Sequence, residues 1–136
     1  MSYTVHNLRT VYDALVTQVA TTGKNVGQGQ APDDVTHPYA VVYPIGEDVD
    51  PDVRGVLSDP QQSTVIEFQV TCVGESLRQA NWMANESRLV LSGWTPTVAG
   101  MTFGPVQLDA GLPAERDDDV QPPLFYAVDR FSVFVN

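Results

Sequence analysis

The sequence predicts an α+β domain: a mostly antiparallel sheet of four to five strands with two helices packed on one face, in the order α-β-β-β-α-β-β. Three observations predict it. Apolar residues step by three and four near the N-terminus and again after Ser76, which is helical spacing. Several other stretches are β-branched and alternate, or run apolar, as strands do. No period of about 20–50 residues recurs, so a repeat array is excluded and a layered sheet-and-helix fold remains.

Each element follows from local chemistry. Val5, Leu8, Tyr12, Leu15 and Val19 form one helical face with Arg9, Asp13 and Gln18 opposite; Thr4 or Asn7 caps its start and Gly23 follows its end. Asn25 to Pro38 is rich in Gly, Gln, Asp and Pro and offers at most a short strand near Val26. Tyr39 to Ile45 reads as a buried strand, with Pro44 marking a bulge or an edge. Val65 to Val73 alternates cleanly, placing Ile66, Phe68, Val70 and Cys72 on one face. Gly74 ends it, Ser76 caps a second helix, and Leu77, Ala80, Ala84, Ser87, Arg88 and Leu91 trace that helix to Gly93. Small residues at 80, 84 and 87 let it lie close on a sheet. Met101 to Leu108, interrupted by Gly104-Pro105, reads as a fourth strand, and Leu124 to Val135 as a long last one. Both faces of that last strand are partly apolar, which predicts cover from the helices on one side and from a neighbouring subunit on the other.

The 136 residues make a single domain spanning 1–136, with long acidic loops at about 46–63 and 109–123. The charge is lopsided: 17 acidic residues against 7 basic give a formal −10. One lysine and six scattered arginines do not make the cationic footprint that duplex nucleic acid requires. No apolar run is long enough for a membrane span, and the N-terminus lacks the pattern of a signal peptide, so a cytosolic origin is expected. Ten of the acids cluster: Glu47, Asp48, Asp50, Asp52 and Asp59, then Asp109, Glu115, Asp117, Asp118 and Asp119. Solvated, solubilising loops are the simplest reading of both groups.

No catalytic constellation stands out. His6 and His37 are the only histidines, without HExxH or CxxC companions, and His37 with Asp33 and Asp34 makes a weak ligand set. Asp117-Asp118-Asp119 lacks the spacing and glycine of an EF-hand. Cys72, the single cysteine, falls on a buried strand face, and no GxSxG elbow or phosphate loop is present. Trp82 and Trp94 read as core or interface anchors. The sequence therefore assigns no catalytic residue, no metal and no cofactor.

The opening helix with Leu8, Leu15 and Val19, the run His37-Pro38-Tyr39-Ala40-Val41-Val42-Tyr43, the run Phe68-Gln69-Val70-Thr71-Cys72-Val73-Gly74 leading into Ser76 and Gln79-Ala80, and the closing Phe125-Tyr126-Ala127-Val128-Asp129-Arg130-Phe131-Ser132-Val133 resemble, in order and spacing, the tail terminator (tail completion) proteins of long-tailed double-stranded DNA bacteriophages. The resemblance covers nearly the whole chain and carries no catalytic signature. It implies a non-enzymatic virion protein, made in the host cytoplasm, that closes into a hexameric ring at the head-proximal end of the tail tube. There it would stop tube polymerisation and offer the surface for head joining. Its implied partners are further copies of itself, the tail tube protein and a head-tail connector or neck protein, with DNA passing through unbound and no membrane involved. Another neck or tail-tube protein, or a small α+β adaptor module, is the alternative. On this reading Asp48, Asp50, Asp52, Arg54, Asp117, Asp118 and Asp119 line the channel or an interface, and Phe125, Ala127, Phe131 and Val133 form a subunit-interface strand.

Overall fold

The computed structural model describes residues 8–33, 35–49 and 64–135. Its elements are α1 (Leu8–Ala20), β1 (Val26–Gln28), β2 (Tyr39–Val49), β3 (Thr64–Gly74), α2 (Leu77–Leu91), β4 (Gln107–Asp117) and β5 (Leu124–Val135), the predicted order. The five strands form one sheet ordered β1-β2-β3-β5-β4, antiparallel except where β1 runs parallel to β2. Both helices lie on the same face of it.

The core is the layer between helices and sheet. α1 buries Val11, Tyr12, Leu15 and Val19, the stripe its spacing foretells. α2 buries Ala80, Met83, Ala84, Ser87 and Leu91, and its small residues bring the helix close to β3 and β5. The sheet answers with Ile66, Phe68, Val70 and Cys72 from β3 and Ala127, Phe131, Val133 and Val135 from β5, all fully or nearly fully buried. Phe68 and Phe131, cross-strand partners, stack with centroids 5.3 Å apart and rings 12° from parallel. Tyr12 Oη donates to the Glu67 carbonyl at 3.1 Å and ties α1 to the sheet.

Local signals place the helix ends. The Ser76 hydroxyl accepts the Gln79 N–H at 3.1 Å, a capping bond that satisfies one of the orphan donors of α2. Beyond Leu91 the chain turns at Gly93, whose φ of 79° is left-handed and suits glycine. Pro44 marks an irregularity as its sequence position suggests: the β2–β3 register shifts between Pro44 and Gly46.

Two expectations need correction. Of Met101 to Leu108, only Gln107 and Leu108 belong to the fourth strand. Phe103 makes a single bridge to Val135, and Pro105, with no N–H to give, interrupts any ladder. The segment instead closes one end of the core with Val98, Phe103 and Val106, clasped by reciprocal Gly93–Val106 and Val106–Trp94 backbone bonds of 2.9 and 2.8 Å. The fourth strand is β4, which occupies Asp109 to Asp117 of the predicted acidic loop and leaves only a short turn before β5. It is an exposed edge strand with register shifts at Leu108/Ala110 and Leu112/Glu115, the second around Pro113. The other predicted loop is also shorter, because β2 runs through Gly46 to Val49. Positions 50–63 lie outside the described residues, as do Thr4, Val5, His6, Asn7 and Asp34.

Candidate functional site

The sheet face away from the helices has no element of this chain packed on it among the described residues. Val65, Val73, Tyr126 and Val128 there are half-buried by their neighbours, while Phe134 is 46% and Leu112 61% exposed. β5 therefore has one face under the helices and one open, and this decides where a partner can touch it. The predicted interface residues Ala127, Phe131 and Val133 are on the covered face, 4% exposed or less. They are core residues of this chain and cannot present a surface to another; Phe125 is half-buried. An interface strand would have to use the alternate positions, Tyr126, Val128, Ser132 and Phe134.

Among the predicted acidic residues, Asp117, Asp118 and Asp119 are brought together at the β4–β5 turn. Asp117 Oδ1 accepts the Asp119 N–H at 3.0 Å, shaping the turn, and Asp118 pairs with Arg116 in a mainly solvated ion pair. Tyr126 Oη donates to Glu115 Oε2 at 2.9 Å, a bond that braces the hairpin and raises the tyrosine above its ordinary pKa. Asp48 is on β2, and Asp50, Asp52, Arg54 and Asp59 lie outside the described residues.

One buried ionic group sits on the helix side. Asp129, 1% exposed, faces the core from β5 and receives Arg88 of α2 through two bonds. Its carboxylate raises the pKa of the Arg88 guanidinium further. Arg88 lines a cleft of about 430 Å³ between α2 and β4, with Gly111 and Leu112. Close by, Cys72 Sγ and Ser87 Oγ lie 3.7 Å apart, and burial pushes the Cys72 thiol up to about 12, with Asp129 adding to the rise. A thiol so protonated is a poor nucleophile, and the group as a whole is a structural clamp.

A second concavity, of about 330 Å³, opens at the head of α2 between Lys24, Pro38, Arg78 and Trp82. Lys24 Nζ stands 5.6 Å from the centre of the Trp82 ring, within cation–π range. The tryptophan is thus a partly exposed wall and not a core anchor, 41% accessible, whereas Trp94 packs half-buried against the core. Sequence reasoning passes over this group because its members come from three separate segments. The available signals are that Lys24 is the sole lysine and that Arg78 and Trp82 stand four apart on one helix face.

Among the described residues, no three of His, Cys, Asp and Glu gather closely enough to hold a metal ion, and no helix is long and apolar enough to cross a membrane. No protein-family model matches the chain, and no curated protein matches it. Among solved structures it is similar to a chain from the virion of a native gene transfer agent (GTA) particle, with a TM-score of 0.69 and 16% identity over 97% of this chain and 98% of that one. At that identity the likeness is one of fold, and it extends end to end.

Proposed function

We propose that this chain is a virion structural protein of a phage-type particle, and that copies of it close into a hexameric ring at the head-proximal end of the tail tube. The ring ends tube polymerisation and provides the surface to which the head joins, through a connector or neck protein. The observation that carries this reading is the end-to-end likeness of fold to a chain of a gene transfer agent virion. The ordered resemblance of the sequence to tail terminators supports it independently.

The architecture suits the role. An open sheet face with exposed Phe134 and Leu112 offers apolar surface for a partner. The work of such a subunit is assembly, and it requires no catalytic group. One acidic segment, around Asp48, Asp50 and Asp52 or at Asp117 to Asp119, lines the channel and keeps passing DNA from adhering. Screening confines that repulsion to about 8 Å from the wall.

The test is removal of the chain from an assembling particle. Tails that overgrow and carry no heads are the expected outcome, reversed when the protein is resupplied. Tails of normal length joined to heads in its absence would overturn the proposal, and loss of tubes altogether would indicate a tail-tube protein instead.

A further inference from the structure

We infer that the Lys24–Arg78–Trp82 pocket receives the Asp118–Asp119 turn of a neighbouring copy of this chain, and that this contact, repeated, joins the subunits. The inference rests on the ring reading and names the contact that builds the ring.

The charges favour it. In a chain of net charge −10, positive groups are scarce, and most described candidates are already engaged or isolated. Arg88 is held by Asp129 and Arg116 by Asp118. Lys24 and Arg78 have no acidic partner among the described residues, yet they line one concavity with an aromatic wall between them. Glu75, the nearest acid in sequence to Arg78, lies 3.6 Å from His37 Nδ1 and makes no ion pair with Lys24 or Arg78 among the described residues. On the other side of the molecule, the Asp119 carboxylate has no partner among the described residues, and Asp118 has only its exposed bridge to Arg116, which water screens. An acidic turn and a cationic pocket on the same chain are complementary only between copies, because they lie too far apart to meet within one.

The topology sets the geometry of that meeting. Gly74, just before the head of α2, pairs with Phe125, and Asp117 pairs with Leu124, so pocket and turn are at the same end of the sheet. They flank opposite edges, the pocket near β1 and β2 and the turn beyond β4, about 19 Å apart at the usual strand spacing. A contact between two different patches at one level is heterologous, and repetition about an axis closes it into a ring. Asp118 and Asp119 are then covered between subunits and do not line the channel.

The experiment follows self-association by sedimentation velocity and occupancy of tail-tube ends by electron microscopy. It uses the full chain, the pocket variant K24E/R78E and the turn variant D118K/D119K. All the substituted side chains are exposed, and Asp117, which shapes the turn, is kept; circular dichroism verifies the fold. Each variant alone should associate at least about tenfold more weakly than the parent chain. Mixed, the two should associate again as alternating copies, since the native turn of one meets the native pocket of the other and the reversed pocket and turn also carry opposite charge; a mixture that stays as weak as each variant alone would overturn the contact. Rings that persist in both variants would overturn the contact while leaving the ring reading in place. Open-ended oligomers that vanish in both variants would sustain the contact and overturn the ring. A parent chain that neither associates nor binds tubes would overturn both.

Discussion

Arg88 grips Asp129 at two points, Nε to Oδ2 at 2.8 Å and Nη2 to Oδ1 at 2.6 Å, and so fastens α2 to the middle of β5. The acid end is sealed in the core while the arginine end is partly wet, its side chain 41% exposed. Arg88→Ala would leave an unpaired carboxylate under the helix and should cost about 2–4 kcal/mol in urea unfolding, somewhat below a fully buried pair because water reaches the guanidinium. The double change R88M/D129L removes both charges and should recover most of that loss; additive losses in the double-mutant cycle would contradict the coupling.

Gly111 owes its identity to that same pair. A Cβ built there would collide with Arg88 Nη2 and stand 2.7 Å from Asp129 Oδ1. Gly111→Ala should therefore destabilise the fold by about 1–3 kcal/mol, and the penalty should shrink in the R88M/D129L background, where the colliding groups are gone.

Cys72 provides a pH signature. Its thiol is pushed up to about 12 in the folded chain from 9.0 unfolded, chiefly by burial. Below the unfolded value both states hold the proton and stability is unaffected by it. Above that value the unfolded chain releases the proton first, so stability falls as pH rises from about 9 toward 12, by up to about 1.4 kcal/mol per unit. The slope over that window should flatten in Cys72→Ala. At pH 8 a thiol reagent should leave the folded protein untouched and react at once in denaturant.

The stacked rings anchor the core across β3 and β5. Phe131→Ala should cost about 3–5 kcal/mol by opening a cavity against Phe68, while Phe134→Ala, on the open face of the same strand, should cost under about 1 kcal/mol. Chemical denaturation of the two variants side by side checks which face of β5 is the interior one.

Legibility from sequence tracked burial. α1, β3, α2 and β5 each set one face in the core, so periodicity marks them, and Ser76 and Gly93 bound α2 where the sequence puts them. β4 fails that test because it is an edge strand, exposed along nearly all its length, and Asp109, Gly111 and Pro113 look like loop chemistry. The run Leu108, Ala110, Leu112 and Ala114 was its available period-two signal. The last strand is legible in place, but its two faces are both apolar enough that sequence alone does not tell which one the helices cover. Arg88 shows in the sequence only as a helix-face residue, and nothing there joins it to Asp129, 41 positions away. The pocket around Lys24 and Trp82 is likewise a product of tertiary folding, with no run of sequence that contains it.

The two register breaks of β4 and the missing donor at Pro113 make a poor template for any stray strand. That edge resists strand-to-strand stacking of copies, although among the described residues nothing of the chain covers one side of the sheet. Aggregation is deterred by the backbone itself, which leaves the choice of companion to side chains.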